Sequence, residues 1–318
     1  MKILITGAHG FVGSNLVKAL APLNEIYGLD IVAPEKDGII QTFSWEDLDN
    51  GLIPEVDAII HLAGKAHDMK DQTQAGVYFK VNTNLTVKIF DYYSSSKARK
   101  FVFFSTAKAA ADHVDGVLTE EIVPSPVGPY GESKIAAEKY ILNTMKNQPD
   151  RYAERGVYIL RPCMIHGPGN KGNLNLLYSV VKKGIPWPLG AFENRRTFTS
   201  VDNVCYVVNG LLHKDVASGV YNMGDDEALS TNELITIICQ AVGKKPHIWK
   251  ISKGFMILCA RMGDKLHLPL NSERLRKLTE NYISSNQKIK NALGIASMPV
   301  DARSGLTKTL SDFNASGK

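Results

Sequence analysis

Lys2-Ile-Leu-Ile-Thr6-Gly7-Ala-His-Gly10-Phe-Val-Gly13-Ser14 opens the chain, and its reading decides the fold. A short apolar run of strand character leads into three glycines at three-residue intervals. An amphipathic run, Ser14–Leu20, follows at once. Glycine at the first place permits a tight turn, at the second a close backbone approach to a ligand, and at the third close packing of helix on strand. Such a turn at a helix N-terminus aims unpaired N–H groups at an anion, the geometry that holds a dinucleotide's pyrophosphate.

Outward from this turn the same alternation continues. A second strand, Glu25–Leu29, ends at Asp30, 23 positions after Gly7. A carboxylate there accepts hydrogen bonds from a ribose diol and repels a 2′-phosphate, so NAD is expected rather than NADP, although Lys36 lies nearby. Further strands are expected at Ala58–Leu62, Phe101–Phe104 and Val157–Arg161, with helical patterns over Ser14–Leu20, Val81–Tyr93 and Lys134–Met145. The strands read as continuous apolar runs, as strands buried on both faces do, which gives an α/β class with a doubly wound parallel sheet.

After Pro162 the texture changes. His166–Gly172 is a turn-rich loop, Asn173–Lys183 reads as helix, and Gly184-Ile-Pro-Trp-Pro-Leu-Gly190 cannot be helix. Ser230-Thr-Asn-Glu233 forms a capping box ahead of Leu234–Val242. Residues 1–165, with a return segment at about 200–222, are therefore expected to form the dinucleotide-binding domain. Residues 166–318 form a smaller, interleaved α/β lobe for the substrate.

With 318 residues, 44% of them hydrophobic, the chain can bury one large core or two modest ones. The charge of +5 is mild, and Lys97–Lys100, Lys182-Lys183 and Lys244-Lys245 are short patches without interleaved aromatics, so no nucleic-acid partner is expected. Cys163, Cys205, Cys239 and Cys259 lie far apart with no metal-ligand spacing, so they read as reduced thiols and no metal is expected. The N-terminus enters a strand directly, and Gly254–Ala260 is too short to span a bilayer. The expectation is a cytoplasmic protein without a membrane partner.

Chemistry is written in two places. The run Phe101–Phe104 ends in Ser105-Thr106, two hydroxyls at the carboxyl edge of a strand, where doubly wound sheets place their sites. Tyr130 and Lys134 stand four apart, on one face of a helix. A phenol with a pKa of about 10 is a poor base at neutral pH. The lysine ammonium and the charge of an oxidised nicotinamide are both expected to lower it. Ser105 or Thr106 would hydrogen-bond the reacting oxygen. His61 ends the strand before the small-residue turn Leu62-Ala-Gly64, and it reads as structural, as do His67 and His166.

Thr6–Gly13, Asp57–Gly64, Val81-Asn82, Ser105-Thr106, Tyr130-x-x-x-Lys134, Leu160-Arg-Pro162, Gly167-Pro168, Arg196–Asp202 and Val220–Gly224 together resemble the extended short-chain dehydrogenase/reductases. Within these they are similar to the nucleotide-sugar epimerase/dehydratase branch, over nearly the whole chain. The resemblance implies catalytic roles for Thr106, Tyr130 and Lys134, with Ser105 beside them. It implies an NAD site lined by Gly7, Gly10, Phe11, Val12, Gly13, Asp30, Ile31, Leu62, Ala63, Gly64, Asn82 and Pro162, together with Tyr130 and Lys134. It matches Asn173 and Arg196 to nucleotide and diphosphate contacts, with Arg276, or else Arg274, completing the clamp. A homodimer through Val81–Tyr93 and Lys134–Met145 is implied by the resemblance alone.

Three departures bear on substrate. Ala107-Lys108 stands where sugar 4,6-dehydratases of the family carry an Asp-Glu pair, which argues against dehydration. Ala109-Ala-Ala111 replaces the usual Val-Tyr-Gly, and Met164 stands where many members have Asn. The leading expectation is C4 epimerisation of a UDP-hexose or UDP-N-acetylhexosamine through a transient 4-keto sugar. The alternative is NAD(P)H-dependent reduction of a UDP-4-keto-6-deoxy sugar in polysaccharide precursor synthesis. A non-catalytic NAD sensor is disfavoured because both Tyr130 and Lys134 are present.

Overall fold

The computed structural model describes residues 1–65, 75–170, 172–266, 268 and 270–315, without the side chain of Asn173. Strands are β1 (Lys2–Thr6), β2 (Glu25–Leu29), β3 (Gln41–Phe43), β4 (Ala58–His61), β5 (Lys100–Phe104), β6 (Val117–Leu118), β7 (Gly156–Pro162), β8 (Met164–His166), β9 (Arg196–Ser200), β10 (Gly219–Met223), β11 (Ala228–Leu229) and β12 (Ile283–Ser284). Seven of them form one sheet in the order β10-β7-β5-β4-β1-β2-β3, every pair parallel. The order reverses direction at β1 and β4, so a crevice opens outside their carboxyl ends.

Side-chain alternation divides the core between the two faces. Ile3 and Ile5 of β1 and Val102 of β5 pack with the helices Phe11–Leu20 and Val201–His213, through Leu16, Val17, Val204 and Val208. Leu4, Phe101 and Phe103 point the other way, onto Ile89, Phe90 and Tyr93 of the helix Leu85–Ser95 and Ala137 and Ile141 of the helix Pro129–Asn147. Both faces are dry, which is why the strands carry apolar runs rather than alternating ones. Strand β3 escapes a sequence reading because three residues with two polar ones carry no period.

A second core lies in the C-terminal part. Leu174, Tyr178, Trp187, Phe198, Ile235, Ile238, Met256, Leu306 and Phe313 meet there, brought together by the helices Asn173–Lys182, Thr231–Ala241, Lys253–Leu266 and Ala302–Ala315. The capping box at Ser230 is formed: its hydroxyl accepts from the Glu233 N–H at 3.0 Å and its own N–H donates to Glu233 at 2.8 Å. A three-stranded sheet, β11-β9-β8, and the pair β6–β12 stitch this part to the first.

Candidate active site

The glycine turn has the shape that its spacing predicts. Gly7 adopts φ +70°, and a Cβ there would sit 2.9 Å from the backbone N of Ala63. A Cβ on Gly13 would fall 2.3 Å from the carbonyl oxygen of Gly7, so helix and turn touch backbone to backbone. Gly10 caps the helix Phe11–Leu20 without any side chain, which leaves its N-terminus open. Asp30 follows β2 directly, and its carboxylate accepts from the N–H of His9 at 3.1 Å and of Ile31 at 2.7 Å. A cradle that any side chain would fill, with a fixed carboxylate at its ribose end, fits a dinucleotide. Lys36 reaches back over the same turn, donating to the Ala8 carbonyl at 3.3 Å and to the Ser14 hydroxyl. Burial pulls its pKa down, against the opposing charge of Asp30. Ile31 stands exposed at the crevice rim, Val12 packs on the first core, and Pro162 ends β7 opposite Met223.

His61 is structural, for a reason that can be followed atom by atom. Thr6 Oγ1 accepts from the N–H groups of Leu62 at 3.2 Å and Ala63 at 3.0 Å, so its proton goes to His61 Nδ1 at 2.6 Å. His61 Nε2 then donates to Thr86 Oγ1 at 2.9 Å, and Thr86 donates to the Asn82 carbonyl at 2.7 Å. Burial, with the Lys134 charge, holds the imidazole well below its ordinary pKa and therefore neutral. This relay fixes the Leu62-Ala63-Gly64 turn at the crevice wall. Asn82 continues it, accepting from Lys65 N–H at 2.7 Å and donating to Ser133 Oγ at 3.0 Å. His166 is also buried, with Nδ1 2.9 Å from Thr309 Oγ1 and Nε2 3.5 Å from Asp225. His67 lies outside the described residues.

Tyr130 and Lys134 share the inward face of the helix Pro129–Asn147, which Pro129 starts and Gly128 precedes at φ +85°. The Tyr130 phenol is hydrogen-bonded to Thr106, while Tyr78 stands edge-on to its ring at 6.3 Å. Burial raises the phenol's pKa, and the Thr106 hydrogen bond opposes the rise. Of the two charges expected to lower it, Lys134 does not outweigh burial. The lysine amine instead donates to the Phe104 carbonyl at 2.8 Å and lies 4.9 Å from the centre of the Phe103 ring. Burial brings its own pKa down to about 8, against the pull of Glu138. A Cβ on Gly64 would lie 3.1 Å from Lys134 Nζ, so the turn, the lysine and the phenol border one space.

Ser105 does not face that space. Its hydroxyl donates to Glu138, which is fully buried and paired with Arg161 through Nη2–Oε2 at 2.5 Å and Nε–Oε1 at 3.0 Å. A buried carboxylate takes every available donor, and the serine is the nearest. Thr106 is left as the hydroxyl beside Tyr130. Glu138 and Arg161 were not among the sequence candidates. The signal was present in the i, i+4, i+8 spacing of Tyr130, Lys134 and Glu138.

The other lobe closes the far side. Arg196 donates to the Lys277 carbonyl at 2.5 Å, which draws it to the helix Ser272–Thr279 that carries Arg274 and Arg276. Arg276 pairs with Asp112 at 3.6 Å and Glu280 at 3.3 Å, and Asp112 also holds Lys108 at 2.5 Å. These cations keep the Asp112 carboxyl below its usual range, although burial opposes them. Arg196, Arg276 and Lys108 therefore meet across the junction of the lobes, two residues along from Thr106. Arg274 is exposed. Asn173 begins its helix, but its side chain lies outside the described residues. Among the described residues no three His, Cys, Asp or Glu side chains converge on a possible metal position.

A parallel sheet with a dinucleotide cradle at its switch point and a Tyr–Lys pair on the adjoining helix defines a short-chain dehydrogenase/reductase type of site. Residues 3–224 match the NAD dependent epimerase/dehydratase family. The chain is 30% identical over 256 residues to a UDP-glucose 4-epimerase of Vibrio cholerae, covering 76% of each. It is equally identical over 251 residues to the N-acetyl-α-D-glucosaminyl-diphospho-ditrans,octacis-undecaprenol 4-epimerase of Escherichia coli O157:H7, covering 76% of this chain and 73% of that one. A GDP-6-deoxy-D-mannose reductase and a dTDP-glucose 4,6-dehydratase are also relatives. The fold matches UDP-glucuronic acid 4-epimerase of Bacillus cereus, crystallised with NAD, with a TM-score of 0.75 at 22% identity over 100% of both chains. The chain belongs to the NAD dependent epimerase/dehydratase family, and its cofactor is NAD.

Proposed function

We propose that the protein is a nucleotide-sugar C4 epimerase acting on a UDP-linked hexose or N-acetylhexosamine. The observation that carries this reading is the Thr106–Tyr130 hydrogen bond beside a Lys134 amine buried against the glycine cradle. Bound NAD supplies the site with a hydride acceptor that can return what it takes. Gly7, Gly10 and Gly13 hold its pyrophosphate in this reading, Asp30 its adenosine ribose, and Lys134 its nicotinamide ribose. Thr106 orients the sugar's 4-hydroxyl toward Tyr130, whose oxygen accepts the proton as C4 is oxidised and gives it back when C4 is reduced. The first half needs Tyr130 as its phenolate, which burial disfavours and the positive charge of an oxidised nicotinamide favours; the phenol so formed is the acid of the second half. Arg196 and Arg276, with Lys108, hold the diphosphate while the 4-keto sugar turns.

Ala107-Lys108 supports the exclusion of dehydration, since neither side chain supplies a carboxyl group as the acid or the base of a C5–C6 elimination beside Thr106. Residues 1–165 with 200–222 serve as the cofactor domain and 166–318 as the substrate lobe. A cytoplasmic homodimer through the helices Leu85–Ser95 and Pro129–Asn147 completes the proposal.

The test is incubation of purified protein with UDP-glucose, UDP-GlcNAc and their 4-epimers, without added cofactor, and resolution of the products by NMR. Interconversion is expected. Absence of turnover, together with NADH or NADPH oxidation on a UDP-4-keto-6-deoxy sugar, would replace the epimerase by the reductase.

A further inference from the structure

The helix Lys253–Leu266 has more apolar surface than the fold covers. Met256, Ala260 and Gly263 form its inward stripe, and Gly263 seats so closely that a Cβ would lie 1.8 Å from the Leu270 carbonyl oxygen. Beside that stripe a second one faces outward. Phe255 (56%), Leu258 (55%), Met262 (52%) and Leu266 (62%) follow each other at three- and four-residue steps and stand exposed. They make one row about 16 Å long. Trp249, just ahead of the helix, is exposed to the same degree as Phe255. Single exposed apolar residues are ordinary on a protein surface, but a contiguous row with an aromatic at its end marks an interaction surface.

The charge around the row has one sign. Between residues 244 and 265 there are six lysines and arginines, Lys244, Lys245, Lys250, Lys253, Arg261 and Lys265, against one acid, Asp264. That segment alone carries a charge equal to the +5 of the entire chain. The one acid is already engaged, accepting from the Ser272 hydroxyl at 2.5 Å and the Ser272 N–H at 3.0 Å. An uncovered apolar row bordered by cations is the pattern of a helix lying in the plane of an anionic bilayer. A second copy of this chain is a poorer match. A two-fold interface sets a patch against its own image, and here that would oppose the cations of both copies.

We propose that the helix Lys253–Leu266, with Trp249, rests on an anionic phospholipid surface. Sequence length argued against membrane contact because Gly254–Ala260 cannot span, and among the described residues no helix is long and apolar enough to cross. A helix that lies in the interface needs only its row of side chains. The surface is separate from the hydride-transfer residues, so each reading can fail alone.

The test is co-sedimentation of the full chain with phosphatidylglycerol-containing and pure phosphatidylcholine vesicles, at low and high salt. Binding to the anionic vesicles at low salt, weakened by salt, is expected. Phe255→Ser with Met262→Ser should abolish it, and Lys253→Gln, Arg261→Gln or Lys265→Gln should each lower partitioning about fivefold. Leu23→Ser, exposed on the cofactor domain, should change nothing. Melting temperature and NAD binding of the variants, unchanged from the parent, would show that they fold. No binding at low salt, or binding indifferent to these substitutions, overturns the proposal. So does an oligomer that dissociates on Phe255→Ser without any vesicle binding, which would assign the row to a second copy.

Discussion

Tyr130 and Lys134 share a helix face but have different surroundings, and each predicts a different outcome. Tyr130→Phe keeps the ring against Tyr78 and removes the hydroxyl bonded to Thr106, so turnover should fall by about 10²-fold or more while NAD still binds. Single-turnover kinetics and cofactor titration would separate the two. Lys134 is a buried amine with a folded-state pKa of about 8, below its unfolded value. The unfolded chain therefore binds more protons between about pH 8 and 10.4, and stability rises with pH across that window. Below it the buried charge is fully destabilising. Lys134→Met should thus make the cofactor-free protein more stable at pH 7, by about 1–3 kcal/mol, while activity is lost. The gain should vanish above about pH 10.4 in urea titrations. Glu138→Gln takes the opposite course, because it leaves Arg161 charged and unpaired in the interior. A loss of about 3–5 kcal/mol is expected in the same assay.

At the scale of elements, the cofactor turn and the helix caps were legible because their causes are local. Gly13→Ala would press a Cβ to 2.3 Å from the Gly7 carbonyl, with no side chain to move aside. Loss of NAD binding measured by calorimetry is expected, with the sheet intact by circular dichroism. Ser230→Ala removes one half of the capping box before Thr231–Ala241 and should cost about 1 kcal/mol in chemical denaturation. Strand β3 was not legible, and neither was the role of Ser105. The hydroxyl pair at Ser105-Thr106 is symmetric in sequence. Only the arrival of Glu138 from another element, held by Arg161 from β7, gives one hydroxyl to the ion pair and leaves the other to Tyr130.

On the scale of the whole molecule, the two lobes are tied across the site by charge. Asp112 holds Lys108 from one side and Arg276 from the other, and Tyr282 donates to the Ala111 carbonyl at 2.8 Å. On the proposed assignment of Arg276 and Lys108, an anionic substrate competes with Asp112 for the same cations. Asp112→Asn should therefore tighten UDP binding by about three- to tenfold at low salt, with the gain fading as salt is raised. Isothermal titration at two ionic strengths would measure it, and weaker binding would show instead that Asp112 orders the cations rather than occupying them.

The sequence alone determined the parallel α/β sheet, the glycine turn, the carboxylate directly after the second strand and the Tyr–Lys face, because each depends on neighbours within one turn or one strand. Tertiary structure decided the rest. It set which hydroxyl meets the phenol, it made His61 a neutral strut, and it raised the phenol's pKa by burial. It also decided that the apolar run after Lys253 lies at the surface, half covered and half open. Those outcomes depend on burial and on partners dozens of residues away, which one segment of the chain does not encode.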